Sequence, residues 1–380
     1  MSARSFPGIF VLAAVWMMGL PSGKTLAQGP PPIALKKIDG PNGAGATEAL
    51  RRALERQHQF RLVPTPGGVP EARATAGAGF LEGTLLGGDG RVLFRQKYQR
   101  GNPVQNVRQF ADDMVLTLTK RPGIATSQIA FSLNRGGQPQ VYLCDFDGGN
   151  VRQITSKGAN TAPAIAPDGT RLAYVTLRDA DRGEIVVIDL TNEKIQKIGG
   201  GSFYRPELCF SPDGKTLAAT LGAEGSGGNT DLFLVKFKGG KPKALLQTPA
   251  PEHAPAWSPD GREILFAAAA TPGPSVLYRL PVKKKAPQVV QTGFPDGADP
   301  SWSPDGGRIA FVSSRTVCVH EFATRQTRRI GNGASPAWGA DSRHLVFTDG
   351  YSLIVVDTAT GKKETILGGG GSISHISWTR

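Results

Sequence analysis

The stretch "AWSPDGREILF" runs from Ala256 to Phe266, and "SWSPDGGRIAF" runs from Ser301 to Phe311. Further copies are "AIAPDGTRLAY" from Ala164, "CFSPDGKTLAA" from Cys209 and a worn "AWGADSRHLVF" from Ala337. The fragment "ISWTR" from Ile376 begins a sixth. Within each copy, Pro supplies a φ near −65°. Asp can accept hydrogen bonds from its own turn backbone, and Gly supplies the positive φ that closes the turn. The phrase therefore reads as a hairpin turn between two antiparallel strands.

A third apolar strand follows each turn: "EIVVIDL" from Glu184, "DLFLVKF" from Asp231, "SVLYRLP" from Ser275, "TVCVHEF" from Thr316 and "SLIVVDT" from Ser352. A sixth, "QVYLCDF" from Gln140, precedes them all. Their spacing is 36 to 47 residues, and a more polar fourth strand follows each one. Four short strands per unit of about forty residues is the blade of a β-propeller. Five first strands are read as beginning at Pro163, Pro206, Pro255, Pro300 and Pro336. The first blade, opening at "QIAFSLN" from Gln128, lacks one, and "ISHISWTR" at the end of the chain is the strand that would close it. The fold class expected is mainly β: a six-bladed β-propeller closed by the C-terminal strand, over residues 125–380, preceded by a small α/β domain over residues 28–124. In that domain "IALKKID" from Ile33 reads as a strand and "TEALRRALERQHQ" from Thr47 as a helix capped by Thr47. "GFLEGTLLGGDGRVLFRQKY" from Gly79 reads as a hairpin. Val107, Phe110, Ala111, Met114, Val115 and Leu118 share one face of a last helix.

Residues 1–27 read as a secretory signal. Arg4 precedes the apolar run "GIFVLAAVWMMGL", and Thr25 and Ala27 occupy the small-residue positions of a cleavage site after Ala27. Export to the periplasm is the localisation expected. The formal charge is +13, or about +11 once Arg4 and Lys24 are removed. The basic residues are dispersed, apart from Lys283–Lys285, whereas nucleic-acid binders cluster theirs. Nucleic acid is therefore not an expected partner.

Catalytic motifs are scarce. "GPNGAGAT", from Gly40 to Thr47, has the glycine spacing of a phosphate loop but carries Ala46 where the lysine belongs. No serine sits in a nucleophile elbow, and there is no H-E-x-x-H. Cys144, Cys209 and Cys318 lack C-x-x-C spacing, which argues against a disulfide framework or a zinc site built on them. The five histidines are dispersed, the nearest two 24 residues apart, so a metal site would need long-range convergence. His320 reads as structural. His253, in "PEHAPAW", lies at a propeller face. No catalytic residue, metal ligand or cofactor is expected.

Signal, small α/β domain, the junction "TLTKRPGIATSQIAFS" and six blades with "PAWSPDG"-type repeats together resemble the TolB family of the Tol–Pal envelope system. The resemblance implies a non-catalytic docking platform that supports envelope integrity and outer-membrane constriction at division. It implies a Pal-like peptidoglycan-associated lipoprotein as partner, with a TolA-like inner-membrane protein engaging the mature N-terminus of a monomer. The short, Pro-rich start "QGPPPIALKK" departs from the family there. The face where fourth-to-first-strand loops emerge would bind the partner, and "HAPAWSPDG" matches the family's His-containing loop. The expected binding residues are Tyr204, Arg205, Glu252, His253, Asp296 and Asp299. Two other readings stay open: an exported propeller lyase or hydrolase with a channel site, and a TolB-like paralogue with another envelope partner.

Overall fold

The computed structural model describes residues 30–64, 67–99, 101–179, 182–202, 206–222, 229–237, 241–269 and 273–379. The signal read over residues 1–27 lies outside them.

A five-stranded sheet comes first. Its strands are β1 (Pro32–Leu35), β2 (Arg61–Val63), β3 (Glu71–Gly77), β4 (Phe80–Leu86) and β5 (Val92–Tyr98), in the order β2-β1-β3-β4-β5. β1 runs parallel to both its neighbours, and the other pairs are antiparallel. Two helices pack on the sheet, α1 (Gly43–Arg56) and α2 (Pro103–Thr119). α2 begins with a reciprocal capping box between Asn102 and Gln105 and buries Val107, Phe110, Ala111, Met114 and Val115. α1 starts four residues before the expected cap. Thr47 lies inside it, donating to Gly43 O and accepting from Ile38 N. The glycines explain the shift. A Cβ on Gly43 would sit 2.0 Å from Ile38 O, and one on Gly40 would sit 2.0 Å from Ala76 O. The glycine spacing that mimics a phosphate loop serves close backbone approach instead.

Six four-stranded antiparallel sheets follow, one per blade. The first is completed by Ser372–Trp378, which pairs with Gln128–Asn134, so the ring closes with no free edge between its ends. The turns behave as their chemistry dictates. Gly169, Gly214, Gly261 and Gly306 have φ of 70°, 65°, 69° and 73°. Asp213, Asp260 and Asp305 each accept from the serine that opens their turn and from a backbone N–H two residues on.

The inner strands differ from the reading that starts them at proline. They run Ala159–Ile165, Glu252–Trp257, Ala298–Trp302, Ala334–Trp338 and Ser372–Trp378, so residues expected in loops are already in the sheet. Each carries a β-bulge in which two residues oppose one, and in four of them the second of the two is the proline, where its inability to donate to the ladder costs no hydrogen bond. The closing strand has the same bulge without the proline. The residue opposite the bulge is Tyr174, Phe266, Phe311, Phe347 or Phe131. In the third blade the described inner strand is Leu208–Phe210. Blades are also tied edge to edge. Asn160, Glu252, Gly297, Gly333 and Ile373 each donate their backbone N–H to a carbonyl at or just before the start of the third strand of the preceding blade, at 2.7–2.9 Å.

The N-terminal sheet and helices sit on the turn side of the ring, against the first and sixth blades, and share one apolar core with them. Arg108 pairs with Asp145 at 2.6 Å and Asp147 at 3.2 Å. Arg56 reaches Asp147 O in the first blade and Glu364 in the sixth. Asp112 accepts from Ala125 N, Thr126 N and Thr126 Oγ1, fixing the link between the two parts.

Candidate functional site

The inner strands run from their bulges to the "SPDG" turns. Those turns face the N-terminal unit: Pro167, Asp168, Gly169, Pro304 and Ala340 line a cleft of about 1710 Å³ against β5 and α2. The bulges therefore lie around the opposite mouth, the one on which the expected binding residues fall.

The bulged residues there share an uncommon backbone. Ala162, Ala254, Asp299, Ser335 and His375 all have φ between 46° and 53°, a region costly for residues other than glycine. Neighbouring side chains exploit the N–H groups this conformation turns sideways. Ser335 N donates to Asp299 Oδ2 at 3.1 Å, His375 N donates to Ser335 Oγ at 3.3 Å, and Ala254 N donates to Glu207. Thr161 Oγ1 and Ser374 Oγ lie 3.4 and 2.9 Å from His375 Nδ1. The result is a partial belt of hydrogen bonds running from blade to blade around the mouth. Burial holds His375 below its ordinary pKa, against the pull of the Asp299 carboxylate.

Of the six expected binding residues, four are described. Asp299 stands in the belt. Asp296 accepts from Ser313 Oγ, Ser314 N and Ser314 Oγ, and so caps the next hairpin. His253 is largely buried, with Nε2 3.4 Å from Ser275 Oγ. Glu252 is fully buried and offers no surface to a partner in this conformation. Tyr204 and Arg205 lie outside the described residues.

Glu252 has a different role, which the sequence reading missed. Thr248 Oγ1 donates to its Oε1 at 2.5 Å, and Asp231 lies beside it. Burial, aided by the Asp231 charge and opposed by Thr248, pushes its pKa up to about 8, so at neutral pH it is a protonated acid able to donate to Asp231. The equivalent slot between the first and second blades holds two amides. There Asn160 Nδ2 donates to Gln140 Oε1 at 3.1 Å. Two carboxyls can imitate that pair only by keeping a proton between them.

Cys144, Cys209 and Cys318 form no disulfide, and burial raises Cys144 to about 12. His320 Nδ1 lies 2.8 Å from Thr327 Oγ1 within its own blade, a structural contact.

The chain is 30 % identical over 220 residues to the protein TolB homolog of Chlorobium chlorochromatii, an alignment covering 55 % of this chain and 48 % of that one. It is 27 % identical over 308 residues to the Tol-Pal system protein TolB of Bordetella pertussis, covering 73 % and 66 %. The chain thus spans about half the length of the first of these relatives. Among solved structures, TolB from Acinetobacter baumannii superposes with a TM-score of 0.78 over 93 % of this chain and 97 % of that one, at 18 % identity, a likeness of fold. The family model described as the TolB beta propeller domain matches residues 115–380. The bladed ring and the match over more than half its length place the chain in the TolB β-propeller family.

Proposed function

We propose that this protein is a non-catalytic docking platform of the bacterial envelope, exported to the periplasm with its signal removed after Ala27. Its open mouth binds a folded Pal-like lipoprotein, in support of envelope integrity and constriction at division. Family membership over the propeller carries this reading. The mouth supports it: the polar groups there are held rigidly by one another, as a docking surface requires, and the N-terminal unit packs on the opposite side of the ring. Tyr204, Arg205, His253, Asp296 and Asp299 form the surface in this proposal, and Glu252 supports it from beneath. Residues 28–124 and 125–380 act as two units, the first offering its N-terminal segment to a TolA-like protein. The chain acts as a monomer.

The test is a titration of the soluble part of the cognate Pal-like lipoprotein against wild type and a Tyr204→Ala, His253→Ala double variant that melts normally. Loss of affinity in the double variant supports the reading. Unchanged affinity, with loss from substitutions at the "SPDG" turns instead, places the partner on the opposite face.

A further inference from the structure

Two histidines 286 residues apart in sequence meet where the N-terminal unit touches the sixth blade. His58 follows α1 in a left-handed conformation, φ 49°, and its carbonyl accepts from Arg343 Nη2 at 3.1 Å. His344 begins the second strand of the sixth blade and is fully buried. Its Nδ1 lies 2.6 Å from Asp341 Oδ2. Asp341 is the turn aspartate of the worn repeat, and its other oxygen takes the backbone N–H groups of Arg343 and His344. The carboxylate fixes the tautomer: Nδ1 carries the proton and Nε2 presents a lone pair. That lone pair faces His58 Nδ1 at 3.4 Å, and the carboxylate of Asp357 lies within 4.8 Å of both nitrogens.

A separation of 3.4 Å is long for a hydrogen bond to nitrogen, whose usual range ends near about 3.2 Å. It matches the span between two nitrogens held by one tetrahedral ion at about 2.0–2.1 Å from each, which is about 3.3–3.4 Å. A carboxylate behind the distal nitrogen of a histidine is also the common outer support of a metal-binding imidazole.

We propose that His58 and His344 are ligands of a Zn²⁺-class transition-metal ion that clips the N-terminal unit to the sixth blade. Imidazole nitrogens select such an ion over Ca²⁺ or Mg²⁺. Asp357 already accepts from Arg343 Nε and Nη2 at 2.9 and 2.7 Å. The two imidazoles are therefore the firm ligands, Asp357 balances charge or shares an oxygen, and water completes the shell. Asp341 is a positioning residue for His344. The partial exposure of His58 gives the ion its way in.

The experiment uses the mature chain, freed of any affinity tag and dialysed against chelator. Zn²⁺ and Co²⁺ are titrated alone by calorimetry and visible absorption against wild type, His58→Asn and Asp341→Asn. His58→Asn suits because Asn tolerates the left-handed backbone. The expected result is one ion per wild-type chain, and binding at least about tenfold weaker in both variants. Melting of His58→Asn in chelator should match wild type. Equal binding in wild type and His58→Asn overturns the proposal, as does the lack of a saturable one-to-one site. Should either variant fold poorly, X-ray absorption on Zn²⁺-loaded wild type decides: two imidazole nitrogens at the ion support the site, and a shell without imidazole overturns it.

Discussion

Trp378 donates its indole N–H to Ser127 Oγ at 2.8 Å, joining residues 251 apart in sequence. Thr379 strengthens the same junction: its N–H donates to Gln128 O, and its Oγ1 accepts from Gln128 N. Each repeat otherwise meets only its neighbours, so this junction is where a row of blades becomes a ring.

Deleting residues 374–380 removes most of the closing strand and exposes the edge of Gln128–Asn134. The expected outcome is loss of a single cooperative thermal transition, or a sharply lower melting temperature, followed by circular dichroism. A truncated chain that melts like the intact one would refute closure as a source of stability.

Gly261→Ala separates conformation from space. A Cβ there meets nothing nearer than Pro212 Cδ at 3.7 Å, but φ is 69°. A loss of about 1 kcal/mol is expected from the backbone alone. Gly307→Ala, where φ is ordinary and the nearest atom is Asp305 Oδ1 at 3.5 Å, serves as control, with a change within about 0.5 kcal/mol by urea denaturation.

Glu252 makes stability depend on pH. Its pKa rises from an ordinary 4.5 in the unfolded chain to about 8 in the fold, so the folded state holds the proton more tightly. The contribution is complete below about pH 4.5 and is lost as pH rises toward about 8. Glu252→Gln supplies a permanent donor to Asp231, as Asn160 does for Gln140. Melting curves from pH 5 to 9 should show the wild type declining more steeply than the variant, and the variant the more stable at pH 8.5. Parallel curves would contradict the shared proton.

Arg108→Met should loosen the N-terminal unit. It leaves Asp145 and Asp147, both largely buried, without their cation, and a loss of about 2 kcal/mol is expected. Calorimetry should show the N-terminal unit unfolding ahead of the propeller. A single unshifted transition would show that the ion pairs contribute nothing to the junction.

The ring was legible because its turns have strict chemical needs. The positive φ at Gly214, Gly261 and Gly306 and the closing role of Ser372–Trp378 both follow from the repeated phrase. The bulges were not legible, since Pro255 or Pro300 in a strand pattern reads as a strand start, and only the ladder shows strand on both sides of it. The first turn of α1 was missed because Gly43 and Gly45 have poor helix propensity, and contact with Ile38 decides there. β3, "EARATAG", is too rich in alanine to signal a strand. At the candidate site, Asp299 could be placed from sequence. The burial of Glu252 and the meeting of His58 with His344 depend on contacts between distant segments.

The junction at Trp378 also involves the N-terminal unit. The ring shuts by pairing residues 372–378 with Gln128–Asn134, a contact between distant segments of the kind that slows folding. The N-terminal unit precedes both strands in the chain. Its core, built on Phe110 and Ile124, is the one that receives Ile373 and Trp378, while Arg56 spans the first and sixth blades beside them. The closing strand is therefore seated by two partners at once: the first blade gives it a ladder, and the N-terminal unit gives it a core.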